Sequence, residues 1–391
     1  MVKNILKSYD YKFIATLVLL SMIGLMMVYS ASMVTAISRY GVSGDYFYKK
    51  QRLALIAGFI LFISTAIVPY KIYQEKVILK TLLGIAFALL LLVLVFGHTA
   101  GNAQSWFKVG PIAIQPLEIT KLALIIYLAA AFSNKQNYIN DLKRSILPPI
   151  LVVFFLCFLI ILQPDYGGAL LILGTVSAIV LCSGISKKSI LKIILMVIIS
   201  MSIVFTVLLF TGNLEFVFSP GRLARFTGFL HPFENRQGDG YQLVNSYIAI
   251  GNGGLLGMGL GKGTQKTGYL PESHTDFIMA IIAEELGFWG VLIVLGLLFF
   301  IIFKGLISAI RCQDAFGSLL AIGISVMIAV QVLVNLGAVT GLLPITGVTL
   351  PFVSFGGSSL TLLMLAAGIL TNVSMFNTYT QKYKNNLMKQ A

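Results

Sequence analysis

Apolar residues in this chain come in long runs, and polar residues are confined to the stretches between them. The runs fall at about 13–37, 53–69, 78–97, 112–132, 146–162, 165–183, 189–211, 276–303, 317–341 and 352–376. A helix needs about 20 apolar residues to cross a bilayer. The pattern therefore predicts an all-α polytopic membrane protein, a single domain over 1–391 with ten transmembrane helices. Two of the ten are weaker. The run at 53–69 is barely long enough, and 146–162 meets 165–183 across only Gln163 and Pro164. Pro164 fits either a tight turn between two helices or a kink in one re-entrant element. One connection, 212–275, is far longer than the others, and long connections in compact bundles tend to be functional or disordered.

Composition supports this pattern and excludes the alternatives. A length of 391 residues would ordinarily suggest two or three soluble domains. Hydrophobic residues make up 58% and charged residues 11%, against roughly 25% charged in soluble domains. Disorder is excluded because disordered chains are poor in apolar residues. The three cysteines, Cys157, Cys182 and Cys312, are too scattered for a disulfide scaffold. The net charge of +14 is not gathered into a patch, so nucleic acid is not the expected partner. It follows topology instead. With both termini cytoplasmic, inner segments hold 17 Lys and Arg, short outer loops five, and the long loop five more, in line with the positive-inside rule. That orientation makes 212–275 extracellular, between helices seven and eight. Four of the five short-loop residues (Arg39, Lys49, Lys50 and Arg52) crowd the first outer loop against the trend. Residues 1–12 are polar and the following run is long enough to span, so no cleavable signal peptide is expected.

The 14 acidic residues are few enough to place singly. Asp10, Glu75, Asp141 and Asp314 fall in cytoplasmic segments, and Asp45, Glu215, Glu234 and Asp239 in outer loops. Glu118, Asp165, Glu272, Asp276, Glu284 and Glu285 sit in or beside spans, where ionisable groups are costly and mark functional or paired positions. Glu118 and Lys121 are three apart on one helical face and read first as a self-neutralising pair. Asp165 can cap the helix that follows it. Glu284 and Glu285 are adjacent and cannot share a face. Asp276 opens a span at the membrane–water boundary. Ser273-His-Thr-Asp276 fits a helix-capping pattern that accounts for the acid without chemistry. Glu272 and His274 nevertheless gather three ionisable groups there, as a general base would require. A helix N-terminus lowers such a carboxyl's pKa and burial raises it. Trp106 and Lys108 precede the span at 112–132, where Trp commonly anchors to the interface. The glycine-rich tract 251–266 offers backbone amides, Lys262 and Lys266 to a phosphate, or else is a flexible surface segment.

Several of these segments, taken in order, resemble one family. They are Ser105-Trp-Phe107, Gln115-Pro-Leu-Glu118-Ile-Thr-Lys121, Gln163-Pro-Asp-Tyr-Gly167, Arg222-Leu-Ala-Arg-Phe226 and Gly251-Asn-Gly-Gly-Leu-Leu-Gly-Met-Gly-Leu-Gly261. Further along come Pro271-Glu-Ser-His-Thr-Asp-Phe277, Glu284-Glu-Leu-Gly287, Leu343-Pro-Ile-Thr-Gly-Val-Thr-Leu-Pro351 and Ser354-Phe-Gly-Gly-Ser-Ser359. Together they resemble the SEDS (shape, elongation, division and sporulation) membrane glycosyltransferases over nearly the whole chain. The opening Leu6-Lys-Ser-Tyr-Asp-Tyr11 is most similar to the division (FtsW) branch of Gram-positive bacteria, with the elongation and sporulation branches close. Leu117 stands where many relatives have Ser, and Thr346 where many have Lys, so no phosphate-binding role is carried to Thr346.

The resemblance implies polymerisation of lipid II, an undecaprenyl-diphosphate-linked disaccharide-pentapeptide, on the outer membrane face at the division septum. Asp276 matches the family's catalytic acid. Arg222, Lys262 and Lys266 become candidates to hold diphosphate, and Glu272, His274, Trp106 and Lys108 candidate substrate contacts. Glu118 and Lys121 would line the lipid cavity. No organic cofactor is implied, and Mg²⁺ or Mn²⁺ at the diphosphate is left open. The implied partners are a single-pass class B penicillin-binding transpeptidase and other divisome proteins. A lipid II flippase and a non-catalytic divisome scaffold are the competing readings.

Overall fold

Short polar caps at the ends of the apolar runs set where the helices begin. The computed structural model describes residues 2–100, 103–109, 112–210 and 220–384. A short helix α1 (Val2–Leu6) precedes α2 (Tyr11–Ser38), whose start is fixed by Asp10: its Oδ1 accepts from the amides of Lys12 and Phe13 at 3.1 and 3.2 Å. Such a cap satisfies amides that have no partner within the helix. Helices α3 (Tyr46–Ile67) and α4 (Lys76–Phe96) follow. After strands β1 to β3, described below, come α5 (Pro116–Ser133), α6 (Leu147–Leu162), α7 (Tyr166–Cys182) and α8 (Lys187–Phe210). The chain then forms α9 (Pro220–Leu230), α10 (Tyr241–Gly253), α11 (Ile278–Arg311), α12 (Ala315–Val339) and α13 (Gly357–Tyr379). A helix lies at each of the ten apolar runs. Among the described residues eight helices are long and apolar enough to cross a membrane. Gln163 and Pro164 form a turn between two helices, and Asp165 caps the second by accepting from the Gly168 amide at 2.8 Å.

Two segments depart from the all-helical expectation. Residues 98–114 include a three-stranded antiparallel sheet, β1 (His98–Ala100), β2 (Ala103–Val109) and β3 (Ile112–Ile114). Its first two strands fall between apolar runs, and β3 takes the first three residues of the run at 112–132, so the helix predicted from 112 begins at Pro116. The described part of the long connection, 220–275, holds two helices, α9 and α10. Leu243, Val244 and Ala249 give α10 a buried face, while Leu223, Phe226 and Leu230 stay exposed on α9. Both helices are too short to cross a bilayer.

Helices α5, α12 and α13 form the interior, with 78%, 67% and 72% of their apolar stretches buried, against 17% for α4. Polar side chains follow the same division: Glu118, Lys121, Gln331, Asn335 and Asn372 are buried on those three helices. Helix α11 is broken near its start. Gly287 has φ +66°, and a Cβ there would stand 2.4 Å from the Gly257 amide nitrogen. Gly253 lets α10 close on the same region, since a Cβ would lie 1.8 Å from the Ala283 carbonyl oxygen.

Candidate active site

A helix break leaves carbonyls without intrahelical partners, and here the glycine-rich tract supplies them. The amides of Met258 and Gly259 donate to the Glu284 and Glu285 carbonyls, both at 2.9 Å, and Phe288 donates back to Gly254 at 3.0 Å. The two adjacent carboxylates hold the rest of the tract. Glu284 accepts from the Thr264 amide (3.0 Å), the Thr264 hydroxyl (2.9 Å) and the Gln265 amide (3.2 Å). Glu285 accepts from the Gly261 amide at 3.0 Å, the Ser30 hydroxyl at 2.7 Å and Lys266 Nζ at 2.5 Å. Lys266 is 5% exposed and also donates to Ser30 at 2.8 Å. The expectation that Lys266 and these amides face a diphosphate is therefore corrected: they clamp the tract to α2 and α11. Lys262 of the same tract is exposed.

The tract delivers the chain to Asp276, which lies two residues before the first residue of α11. Ser273 does not cap that helix. It is fully buried and donates to the Ala31 carbonyl at 3.0 Å, so the Ser273 half of the capping pattern is not realised. Instead three successive carbonyls are gripped from the last third of the chain. His274 O accepts from the Phe355 amide (2.9 Å), Thr275 O from the Ser354 hydroxyl (2.6 Å) and Asp276 O from Asn335 Nδ2 (2.7 Å). The Asp276 carboxylate is half-buried beside Gly347, where a Cβ would stand 3.7 Å from Oδ2. Gly347 has φ +76°, a conformation suited to glycine.

The other sequence candidates separate into two groups around this acid. Glu272 is partly exposed, 3.8 Å from the Arg39 guanidinium, and accepts from the Thr275 hydroxyl at 2.9 Å. His274 is 3% exposed and packs against Phe47 and Phe355, with ring centroids 4.4 and 5.7 Å away. Burial pushes its pKa down to about 4, the Glu272 carboxylate opposing and the Arg39 guanidinium reinforcing that shift. A substrate contact through the His274 ring is thereby corrected to a packing role.

Glu118 and Lys121 pair at 2.9 Å, both buried. Lys121 also donates to Gln331 at 3.3 Å, and Gln331 donates to the Thr349 carbonyl at 3.1 Å. Gln331 and Asn335 are one turn apart on α12, so a single face of that helix connects the pair to the segment beside Asp276. Trp106 and Lys108 lie on β2, and the sheet is tied to the start of α13 where Ser358 donates to the Ala113 carbonyl. Arg222 lies in α9, with its side chain outside the described residues, as is that of Lys108. Sequence reasoning missed Asn335, Gln331 and Ser354. A carboxamide repeated at i and i+4 within an apolar run was the signal available for the first two.

Many apolar helices around a buried polar seam, with an acid fixed where a broken helix begins, define a multi-pass membrane protein with an active-site-like niche. Residues 11–379 match the cell cycle protein family FtsW/RodA/SpoVE, and the chain belongs to this family, the SEDS proteins. It is 51% identical to the "probable peptidoglycan glycosyltransferase FtsW" of Bacillus subtilis, over 98% of this chain and 95% of that one. It is 41% identical to stage V sporulation protein E of the same organism, over 94% and 96%. Among solved structures, a chain of a peptidoglycan synthase complex, studied for the coordination of polymerization and crosslinking, superposes with a TM-score of 0.72 at 26% identity. That match covers 94% of this chain and 98% of that one. The rod shape determining protein RodA of Thermus thermophilus gives 0.65 at 26%, covering 94% and 96%.

Proposed function

We propose that this peptidoglycan glycosyltransferase polymerises lipid II on the outer face of the cytoplasmic membrane, with Asp276 as general base. The observation that carries the proposal is the fixing of Asp276 by hydrogen bonds to three consecutive carbonyls beside a glycine wall. In the reaction the acceptor GlcNAc 4-hydroxyl attacks the anomeric carbon of the donor sugar. The C–O bond to diphosphate breaks with inversion, and the hydroxyl proton passes to the carboxylate. Diphosphate is a good enough leaving group that no acid is needed opposite the base. One positioned base contributes typically 10²–10⁴-fold.

Lys262 remains a candidate diphosphate contact through its exposure, and Arg222 through its place on α9. Among the described residues no group of three His, Cys, Asp or Glu side chains could hold a metal ion; a Mg²⁺ or Mn²⁺ ion would come with the diphosphate of the substrate. The 51% identity to the FtsW protein favours the division branch, with a class B penicillin-binding transpeptidase as partner and enrichment at the septum.

The test is polymerisation by the purified chain in vesicles carrying lipid II, with its transpeptidase. Asp276→Ala is expected to lower the rate by about 10²-fold or more while folding normally; full polymerisation by that variant removes the assignment. A flippase would move lipid II across proteoliposomes without polymerising it. A scaffold would allow normal division of Asp276→Ala cells.

A further inference from the structure

Asn335 sits in the middle of the polar seam, and its carboxamide is used in an unusual way. It is 1% exposed. Its single Nδ2 donates to two carbonyls, Asp276 O and Val348 O, each at 2.7 Å. Its Oδ1 is buried without a hydrogen-bond partner. Turning the amide over would set Oδ1 against two carbonyl oxygens, so the donor orientation is fixed by its surroundings. The two carbonyls belong to segments far apart in sequence. One carries the acid, and the other adjoins Gly347, whose backbone lines the acid's carboxylate.

From this we infer that Asn335 is a positioning residue for Asp276, setting the separation between the acid and the 345–350 segment opposite it. The inference rests on the reading of Asp276 as the base. Asn335 reaches backbone only, so it acts through Asp276 and not on the substrate. Phe355 holds His274 O, and Ser354 joins the two segments one residue further back, donating to Thr275 O and accepting from the Leu350 amide at 2.8 Å. Asn335 grips Asp276 itself together with the carbonyl beside Gly347. Removing its donors leaves two buried carbonyls to find other partners and lets the gap between the segments change. A displacement of about 1 Å at a reacting group costs up to roughly 10²-fold in rate.

The experiment uses the full chain with its transpeptidase in vesicles of graded lipid II content, so that kcat and KM separate. Asn335→Leu keeps the branched shape and removes both donors. Asn372→Leu is the control: Asn372 is another buried carboxamide, on α13, donating to the Ala66 carbonyl at 2.6 Å, with no bond to the site. Asn335→Leu is expected to lower kcat about 10- to 100-fold with KM within about twofold, whereas Asn372→Leu changes stability and leaves kcat near wild type. Where the leucine variant fails to fold, Asn335→Ser takes its place with the same expectation. A folded Asn335 variant with near-wild-type kcat overturns the inference, as does an equal kcat loss in Asn372→Leu or a loss appearing wholly in KM. Asp276→Asn is run alongside. If it keeps full activity, the base assignment itself fails; if it is inactive while Asn335→Leu is not, only the positioning role fails.

Discussion

His274 and Asp276 are two residues apart, and burial gives them different chemistry. The imidazole lies between Phe47 and Phe355 with Nδ1 unpartnered, so protonation there is disfavoured and the pKa falls to about 4. In the unfolded chain it stays near 6.5. Between those values the unfolded state binds a proton that the folded state refuses, so stability is complete above pH 6.5 and declines as pH falls toward 4. Each pH unit in the window is worth about 1.4 kcal/mol at most, roughly 3 kcal/mol in all. Thermal unfolding followed from pH 7.5 to 4.5 should show this decline, and His274→Phe should flatten it. A flat wild-type curve would contradict the assignment. The sequence showed three ionisable groups near residue 274, but not which of them was dry. That depends on Phe47 and Phe355, which are more than 80 positions from His274 or come from another helix altogether, and no local pattern announces them.

At the scale of elements, the glycine tract and the start of α11 behave as one unit joined by Glu284 and Glu285. The Lys266–Glu285 contact at 2.5 Å is the buried ion pair of that joint. Removing one partner of a buried pair costs about 3–5 kcal/mol, while replacing both with apolar groups is often neutral. Lys266→Met and Glu285→Leu are therefore each expected to destabilise strongly, and the double variant to recover most of the loss, measured by thermal unfolding in detergent. Additive losses would mean that the pair is not what holds the tract. The tract's glycines, its two lysines and the paired glutamates were all legible as unusual. Their partnership was not, because a helix break at Gly287 cannot be read from an otherwise apolar run. An open phosphate cradle and a closed internal clamp demand the same residue types.

For the whole molecule, the distribution of charge still carries the orientation. Cysteines placed at Lys3 and Lys382, in a chain lacking Cys157, Cys182 and Cys312, should react with a membrane-impermeant maleimide only after cells are opened. Labelling of either in intact spheroplasts would overturn the cytoplasmic placement of that end. The cations that crowd the first short loop have local uses: Lys49 pairs with Asp45 at 2.6 Å, Arg39 approaches Glu272, and Lys50 lies 4.5 Å from the Tyr46 ring centroid. Long apolar runs made the helices and their order legible, since hydrocarbon leaves the backbone little choice but to bond within each segment. The sheet at 98–114 and the packing order of α5, α12 and α13 were not, because they depend on which helices meet. The grip on His274, Thr275 and Asp276 comes from residues 335–355, which leave the ribosome well after the segment they hold. The niche thus has no complete wall while the chain is still being inserted. With Asp276 as the proposed base, a chain stopped short of its final helices would carry every residue through the acid and still lack the means to aim it, so that bond-forming capacity would arrive only as membrane insertion ends.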